Sequence, residues 1–458
     1  MQKERRFTQA GTSVAIVFFL FMLIHQTDKL LIGPLQTPVM NTFHMTYTQW
    51  GAINTGALVV GALLAPVWGF LNDKYNRARL LALASLIWGS TTWLGAIAPT
   101  FPLFLAARSS TGIDDSSYPG MYSLTADYFS AKRRGQIYGI LQLTQPIGFL
   151  LGMVLALVLG QVISWRSVFY ITGSFGVVLA IVIFFSVRDV PRGSSEEELQ
   201  GVETGKYKFS WKTALEIFKK KSLIMLFAQG FFGVFPWNVI TFYFFGYLGT
   251  ERGYNETTQP MIMAPAVIIL AAGYPLGGWL GDKLFKRTKR GRLIVAATGV
   301  LVGAVMMYFT LEVPNQQVIL FGAMLLVTAL FIPFSSANVL ATVYDVTVPE
   351  VRSTANAIQS FIESIGSAAS PLIAGMIADA TSVGNSILLI CGIAWAICFV
   401  VFLGAIYLVP RDIQALHEEL LDRAAKLPPA EQGLLEERLA GAIGQTGTLP
   451  GASIPEDK

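Results

Sequence analysis

Cysteine is nearly absent from this chain: there are two in 458 residues, Cys391 and Cys398, both inside one apolar stretch. That argues against a disulfide framework and against a thiolate metal cage, which both need more cysteines at set spacings. Charge is scarce as well, at 14% of residues against 53% hydrophobic, with a mean hydropathy of +0.54. A soluble protein of ordinary make-up is not this apolar. The net charge of +4 is spread over short loops without a basic domain or reading motif, so nucleic acid is not an expected partner. No nucleotide-binding glycine-rich loop, His/Asp/Glu ligand cluster or nucleophile elbow is visible. Neither an enzyme, a metal site nor a cofactor is expected.

The chain is instead rich in apolar runs of membrane-spanning length. They fall near 12–39, 48–71, 80–98, 101–129, 136–162 and 166–187, then near 222–248, 260–284, 291–311, 316–346, 352–381 and 385–409. The first follows Lys3, Arg5 and Arg6 but is too long for a cleaved signal and is read as a retained span. With the amino terminus in the cytoplasm, 29 of the 33 Lys and Arg residues fall on the cytoplasmic side, as the positive-inside rule requires. The expected fold is an all-α polytopic membrane protein of twelve transmembrane helices, with both termini cytoplasmic.

The twelve divide into a six-helix bundle over 1–187 and another over 222–410, joined by a cytoplasmic linker, 188–221, and followed by a soluble tail, 411–458. Within the linker, Trp211 to Phe218 has helical apolar spacing and reads either as a helix on the membrane surface or as a solvated loop. In the tail, Pro428 and Pro429 interrupt a short amphipathic stripe, and a second short helix is expected over Ala430 to Ala442. The halves repeat each other. Gly69 and Asp73 recur as Gly278 and Asp282, 209 residues on, and Asp127 and Arg134 recur as Asp345 and Arg352, 218 residues on. Parallel repeats of this size occur in one group of secondary transporters.

Ionisable residues inside such spans are costly and normally face a polar pathway. Asp28 and Lys29 lie in the first span, and Arg108, Asp114 and Asp115 in the fourth. Arg108, Thr111 and Asp115 share one helical face, with Asp114 about 100° round from it. Counted from the outer helix ends, Asp28 lies about 18 Å deep, Arg108 about 10 Å and Asp115 about 21 Å. Arg108 is therefore expected between two carboxylates, Asp115 is the expected coupling group, and Asp114→Asn the milder change. The plainer reading is an ion pair that neutralises a buried guanidinium. An odd charge count favours proton coupling, since one carboxylate is left to titrate. His25 is read as a packing hydrogen bonder rather than a proton carrier. Glu363, near mid-depth, faces either the cavity, as a second proton or cation site, or a neighbouring helix. Pro236 is expected to break the seventh span, so that Trp237 and Asn238 line either a cavity or lipid.

The segment 69–79, GFLNDKYNRAR, resembles the loop signature G-x-L-x-D-R-x-G-R-[KR] of the major facilitator superfamily, with Lys74 and Asn76 departing from it. The WRSVF of 165–169 is similar to its W-R-x-x-F element. Within the superfamily, RSSTGIDDSSY (108–118), RSTANAI (352–358) and SPLIAGMIAD (370–379) resemble elements of the spinster-like transporters. Here Asp114 stands for a small Gly, Asp115 for Glu, and Glu363 where many relatives carry His. The anion:cation symporters share some of these elements. The resemblance implies a monomeric, proton-coupled carrier in the cell membrane, working by alternating access on an amphipathic solute such as a lysophospholipid. A small organic anion is the alternative substrate, and a sensor that no longer transports the alternative function. Its pathway would hold Asp28, Lys29, Arg108, Thr111, Asp115, Trp237, Asn238 and Glu363. It also implies that Asp73, Arg77, Asp127, Arg134, Asp282 and Arg352 latch the two halves at the cytoplasmic side.

Overall fold

The computed structural model describes residues 2–115, 117–129, 131–191, 220–347 and 352–425. All regular structure among them is helical. Among the described residues, eleven stretches are long and apolar enough to cross a bilayer. The twelfth span is the fourth in order, which an uninterrupted-length count misses because it is cut into Phe101–Ser110, Gly112–Asp115 and Tyr118–Tyr128. The fold is two six-helix bundles. The linker helix expected over 211–218 and the tail helix expected over 430–442 lie outside the described residues.

Several expected spans differ in detail, each for a local reason. The first helix, Gln2–Leu30, stops before Gly33 and Pro34 and resumes as Gln36–Phe43. Pro34 brings no amide hydrogen, and Gly33 lies so close to the Thr241 carbonyl that a Cβ would not fit. The seventh span, Lys221–Gly246, runs through Pro236 without the expected break, and loosens only in a π-turn at Tyr247–Glu251. One proline removes one backbone bond, and dense aromatic packing (Phe231, Phe232 and Phe235 in mutual contact) holds the rest. The last helix, Val383–Ala425, passes through Pro410 instead of ending there. Leu416 is buried beyond it, so packing sustains the helix past the expected boundary.

One face of the molecule carries the turn at 75–76, between Lys74 and Arg77, and the basic turn at 286–290; the opposite face carries sparse turns such as 44–46, 98–100 and 381–382. The halves meet close to the sparse face, where the second span, Tyr47–Lys74, crosses the eleventh, Arg352–Ala380. Gly51 rests on the Pro371 carbonyl and Gly375 on the Tyr47 carbonyl, each nearer than a Cβ would permit. Small residues at a crossing let membrane helices pack backbone to backbone. The Trp50 indole donates to Phe242 O at 3.0 Å, and the Tyr243 hydroxyl to Pro371 O at 2.7 Å. The exposed Asp379 accepts from the Tyr47 and Thr48 amides at 2.8 and 2.7 Å. Towards the basic face the same two helices turn large apolar side chains outward, among them Phe70 and Phe361.

Candidate functional site

The fourth span breaks where its charges are. Gly112 sits against the Ala57 carbonyl of the second span with no room for a Cβ, and Gly61 opposes it. The carbonyls freed by the break find partners: the Trp68 indole donates to Ile113 O, and the Thr111 hydroxyl turns back on Arg108 O at 2.7 Å. Thr111 thus caps the upper half-helix.

A helix broken in this way does not carry a count of 100° per residue from Arg108 to Asp115, and the expected arrangement changes. Asp114, expected to point away, is 1% exposed, with Oδ2 2.8 Å from His25 Nε2. Asp115, expected beside Arg108, takes the Lys29 ammonium at 2.8 Å. Asp28 is satisfied by neutral donors: the Trp88 indole at 2.9 Å, the Thr92 hydroxyl at 3.1 Å and the Thr172 hydroxyl. Arg108 packs its stem by Gly95 and lays its guanidinium over Phe169 at 5.5 Å. It is 5% exposed, and its Nε and Nη1 have no hydrogen-bond partner among the described residues. Asp28 attracts it most strongly, followed by Asp115 and Asp114.

His25 lies between the first and fourth spans. Its Nδ1 meets the Tyr118 hydroxyl, its ring stacks on Phe21 at 5.8 Å, and the edge of Trp88 closes it at 5.0 Å. Ligand atoms of His25, Asp114 and Asp115 fall within 4.8 Å of one another, a cluster that sequence spacing does not reveal because the chain separates its members. Lys29 already supplies a positive charge to it. Helical spacing places His25, Asp28 and Lys29 together; no sequence signal points to Trp88, Thr92, Thr172 or Tyr118 as their partners.

In the second half, Glu363 accepts from Gln359 at 2.8 Å and lies against Gly230 of the seventh span. Asn238 is buried and bonds back to Val234 O at 3.1 Å, while Trp237 is half-buried. Among the described residues, nothing brings these three into contact with the charged set of the first half. At the basic face, Arg77 pairs with Asp127 at 2.5 Å and with Asp189 at 2.9 Å. Arg292 pairs with Asp282 at 2.7 Å and with Asp345. Asp189 and Arg292 are not among the expected latch residues. Each set closes inside its own half in this conformation, not across the halves. The side chains of Asp73, Arg134 and Arg352 lie outside those described.

The profile of the Major Facilitator Superfamily matches residues 14–371. The chain belongs to this superfamily. Among superfamily relatives, it is 27% identical to Protein spinster of Drosophila melanogaster over 78% of this chain, a stretch that spans only 60% of the fly protein. It is 23% identical to the sphingosine-1-phosphate transporter SPNS2 of Xenopus tropicalis, over 93% of this chain and 86% of that one. The fold matches a crystal structure of a bacterial homologue of the human lysosomal transporter Spinster, inward-facing and unoccupied, at a TM-score of 0.71 and 18% identity, over 88% of this chain and 97% of that one. The superfamily relatives named as such are transporters, not enzymes, and the spinster resemblance of the motifs extends to whole-chain similarity.

Proposed function

We propose that the protein is a proton-coupled secondary transporter of an amphipathic anionic or zwitterionic solute, a lysophospholipid or related lipid, working by alternating access. Its basic face is cytoplasmic, and the opening between the halves lies on that side. Arg108 carries the reading. A guanidinium buried at membrane depth with two nitrogens unpartnered is costly unless an anion completes it. Its planar fork suits a phosphate or carboxylate. The apolar seventh span supplies a wall for an acyl chain, and the ionisable groups of the first and fourth spans supply the coupling. The sphingosine-1-phosphate substrate in the name of the frog relative has the same chemistry, an anionic head on an apolar tail. The latch set, closed within each half here, reaches across the halves only when the other face opens.

A thermal-shift series with lysophosphatidic acid, lysophosphatidylcholine and gluconate tests the substrate class, because a ligand that binds the folded state raises its apparent stability. Stabilisation by the lysolipids that is lost in Arg108→Lys supports the proposal. Stabilisation by gluconate alone transfers the assignment to small organic anions. Counterflow of labelled solute in proteoliposomes separates a carrier, which exchanges solute, from a sensor, which does not.

A further inference from the structure

Resting on the proton-coupled reading, we propose that the exchangeable proton is held by the His25–Asp114 pair rather than by Asp28 or Asp115. Charge balance points there first. The set holds three carboxylates, Asp28 and Asp114 buried and Asp115 with 17% of its side chain exposed, and two permanent cations, the buried Arg108 and Lys29, whose side chain is 37% exposed. One negative charge stays uncompensated until a proton binds. Its place follows from the partners. Asp115 has Lys29 at 2.8 Å; Asp28 has three neutral donors and the attraction of Arg108. No donor other than His25 reaches either oxygen of Asp114 among the described residues, although the side chain is 1% exposed.

The imidazole is built to carry the charge in and out. In the unloaded form Tyr118 donates its hydroxyl hydrogen to Nδ1, and Nε2 carries the ring hydrogen facing Asp114. Loading adds one proton at Nδ1. The Tyr118 hydroxyl turns from donor to acceptor, and an imidazolium then faces an ionised carboxylate, so the set reaches neutrality. Phe21 and Trp88 exclude water from the ring faces. The charged and titratable groups that surround the ring are Asp28 and Lys29 on its own helix, and Arg108, Asp114, Asp115, Tyr118 and Tyr122 on the fourth span. Among the described residues the third span contributes neutral Trp88, and this is the route to the solute site: the indole that meets His25 at 5.0 Å donates to Asp28, a carboxylate that acts on Arg108 through space. Protonation of His25 thereby changes the field at Arg108. The resemblance makes position 114 a small Gly in spinster-like proteins, so this carboxylate is a particular of the present chain.

The test uses full-length protein in proteoliposomes with labelled lysophosphatidylcholine and, in parallel, labelled gluconate. Uptake is read with an imposed pH gradient and as exchange at equal pH, for wild type, Asp114→Asn and His25→Gln. Both variants should lose about tenfold or more of the gradient-driven accumulation while exchange persists. A wild type that exchanges but ignores the gradient overturns the proton-coupled reading itself. A wild type that responds, beside variants that respond equally, overturns only the assignment to His25 and Asp114. A third measurement avoids substitution at the pair. The chain has three histidines, so His44→Gln with His417→Gln leaves His25 as the sole imidazole for infrared difference spectra between acidic and neutral buffer. Imidazolium bands gained on acidification support the proposal, and unchanged imidazole bands overturn it.

Discussion

Asp189 and Asp379 each cap a helix N-terminus, and they sit on opposite faces with opposite company. At the basic face, Asp189 accepts from the Arg77 amide at 2.9 Å and also binds the Arg77 guanidinium, so cap and ion pair are one contact inside one half. At the sparse face, Asp379 accepts from the Tyr47 and Thr48 amides across the two halves, with no cation paired to it among the described residues. The difference follows what each contact must survive. Under the proposed alternating access, a pair inside one bundle stays made while the halves rock, so its desolvation is borne once, at folding. A contact between the halves would be broken in every cycle, and neutral packing plus a water-exposed carboxylate can be broken and remade at low cost.

The sharpest way to break this comparison is Arg77→Ala. Arg77 is 2% exposed and leaves Asp127 and Asp189 uncompensated, which should destabilise the fold by about 3–5 kcal/mol. Thermal unfolding in detergent reads it. Inter-half distances should stay as they are, and a shift in them instead would show that the pair belongs to the gate. Gly375→Leu should do the reverse. Its Cβ has no room against the Tyr47 carbonyl, so the sparse face should be forced apart at a strain of about 1–3 kcal/mol, with transport falling steeply. Spin labels at Thr46 and Thr381 would record the wider separation.

Asp379→Asn removes the charge from the helix cap but keeps an acceptor oxygen. The sparse-face-closed population should fall by a few-fold, an effect of about 0.3–1 kcal/mol; an unchanged label distribution would reduce Asp379 to surface decoration. The smallest effect belongs to Asp282→Asn. Asp282 is 62% exposed in its pair and Arg292 keeps Asp345, so stability should drop by no more than about 0.5 kcal/mol. A loss comparable with that of Arg77→Ala would mean that the two halves share the load equally, which their burial argues against.

The repeat that marks the two halves is legible in the chain itself, because Gly69 and Asp73 return as Gly278 and Asp282 and Asp127 returns as Asp345. What those residues touch is not. The resemblance implies that Asp127 acts between the halves, and it closes on Arg77 of its own half. Arg292, which takes Asp282 and Asp345, looks in sequence like one more basic residue of a topology loop. The charged site divides in the same way. His25, Asp28 and Lys29 are legible as one face, since an intact helix repeats every 3.6 residues. Asp114 and Asp115 depart from their expected placements, since Gly112 lets the second span press into the fourth and the break turns the chain.

Twelve membrane crossings in two related halves, and the few ionisable residues kept at depth, can be read from the chain alone. Those are matters of apolar length, charge sparsity and repeat spacing, and the solvent enforces them span by span. Which carboxylate meets which cation, which face holds the halves together, and that Arg108 keeps two nitrogens unpartnered among the described residues emerge only from the packed helices. Such pairings depend on helix breaks and on backbone approach between spans far apart in the chain, where one glycine against a carbonyl redirects every side chain beyond it.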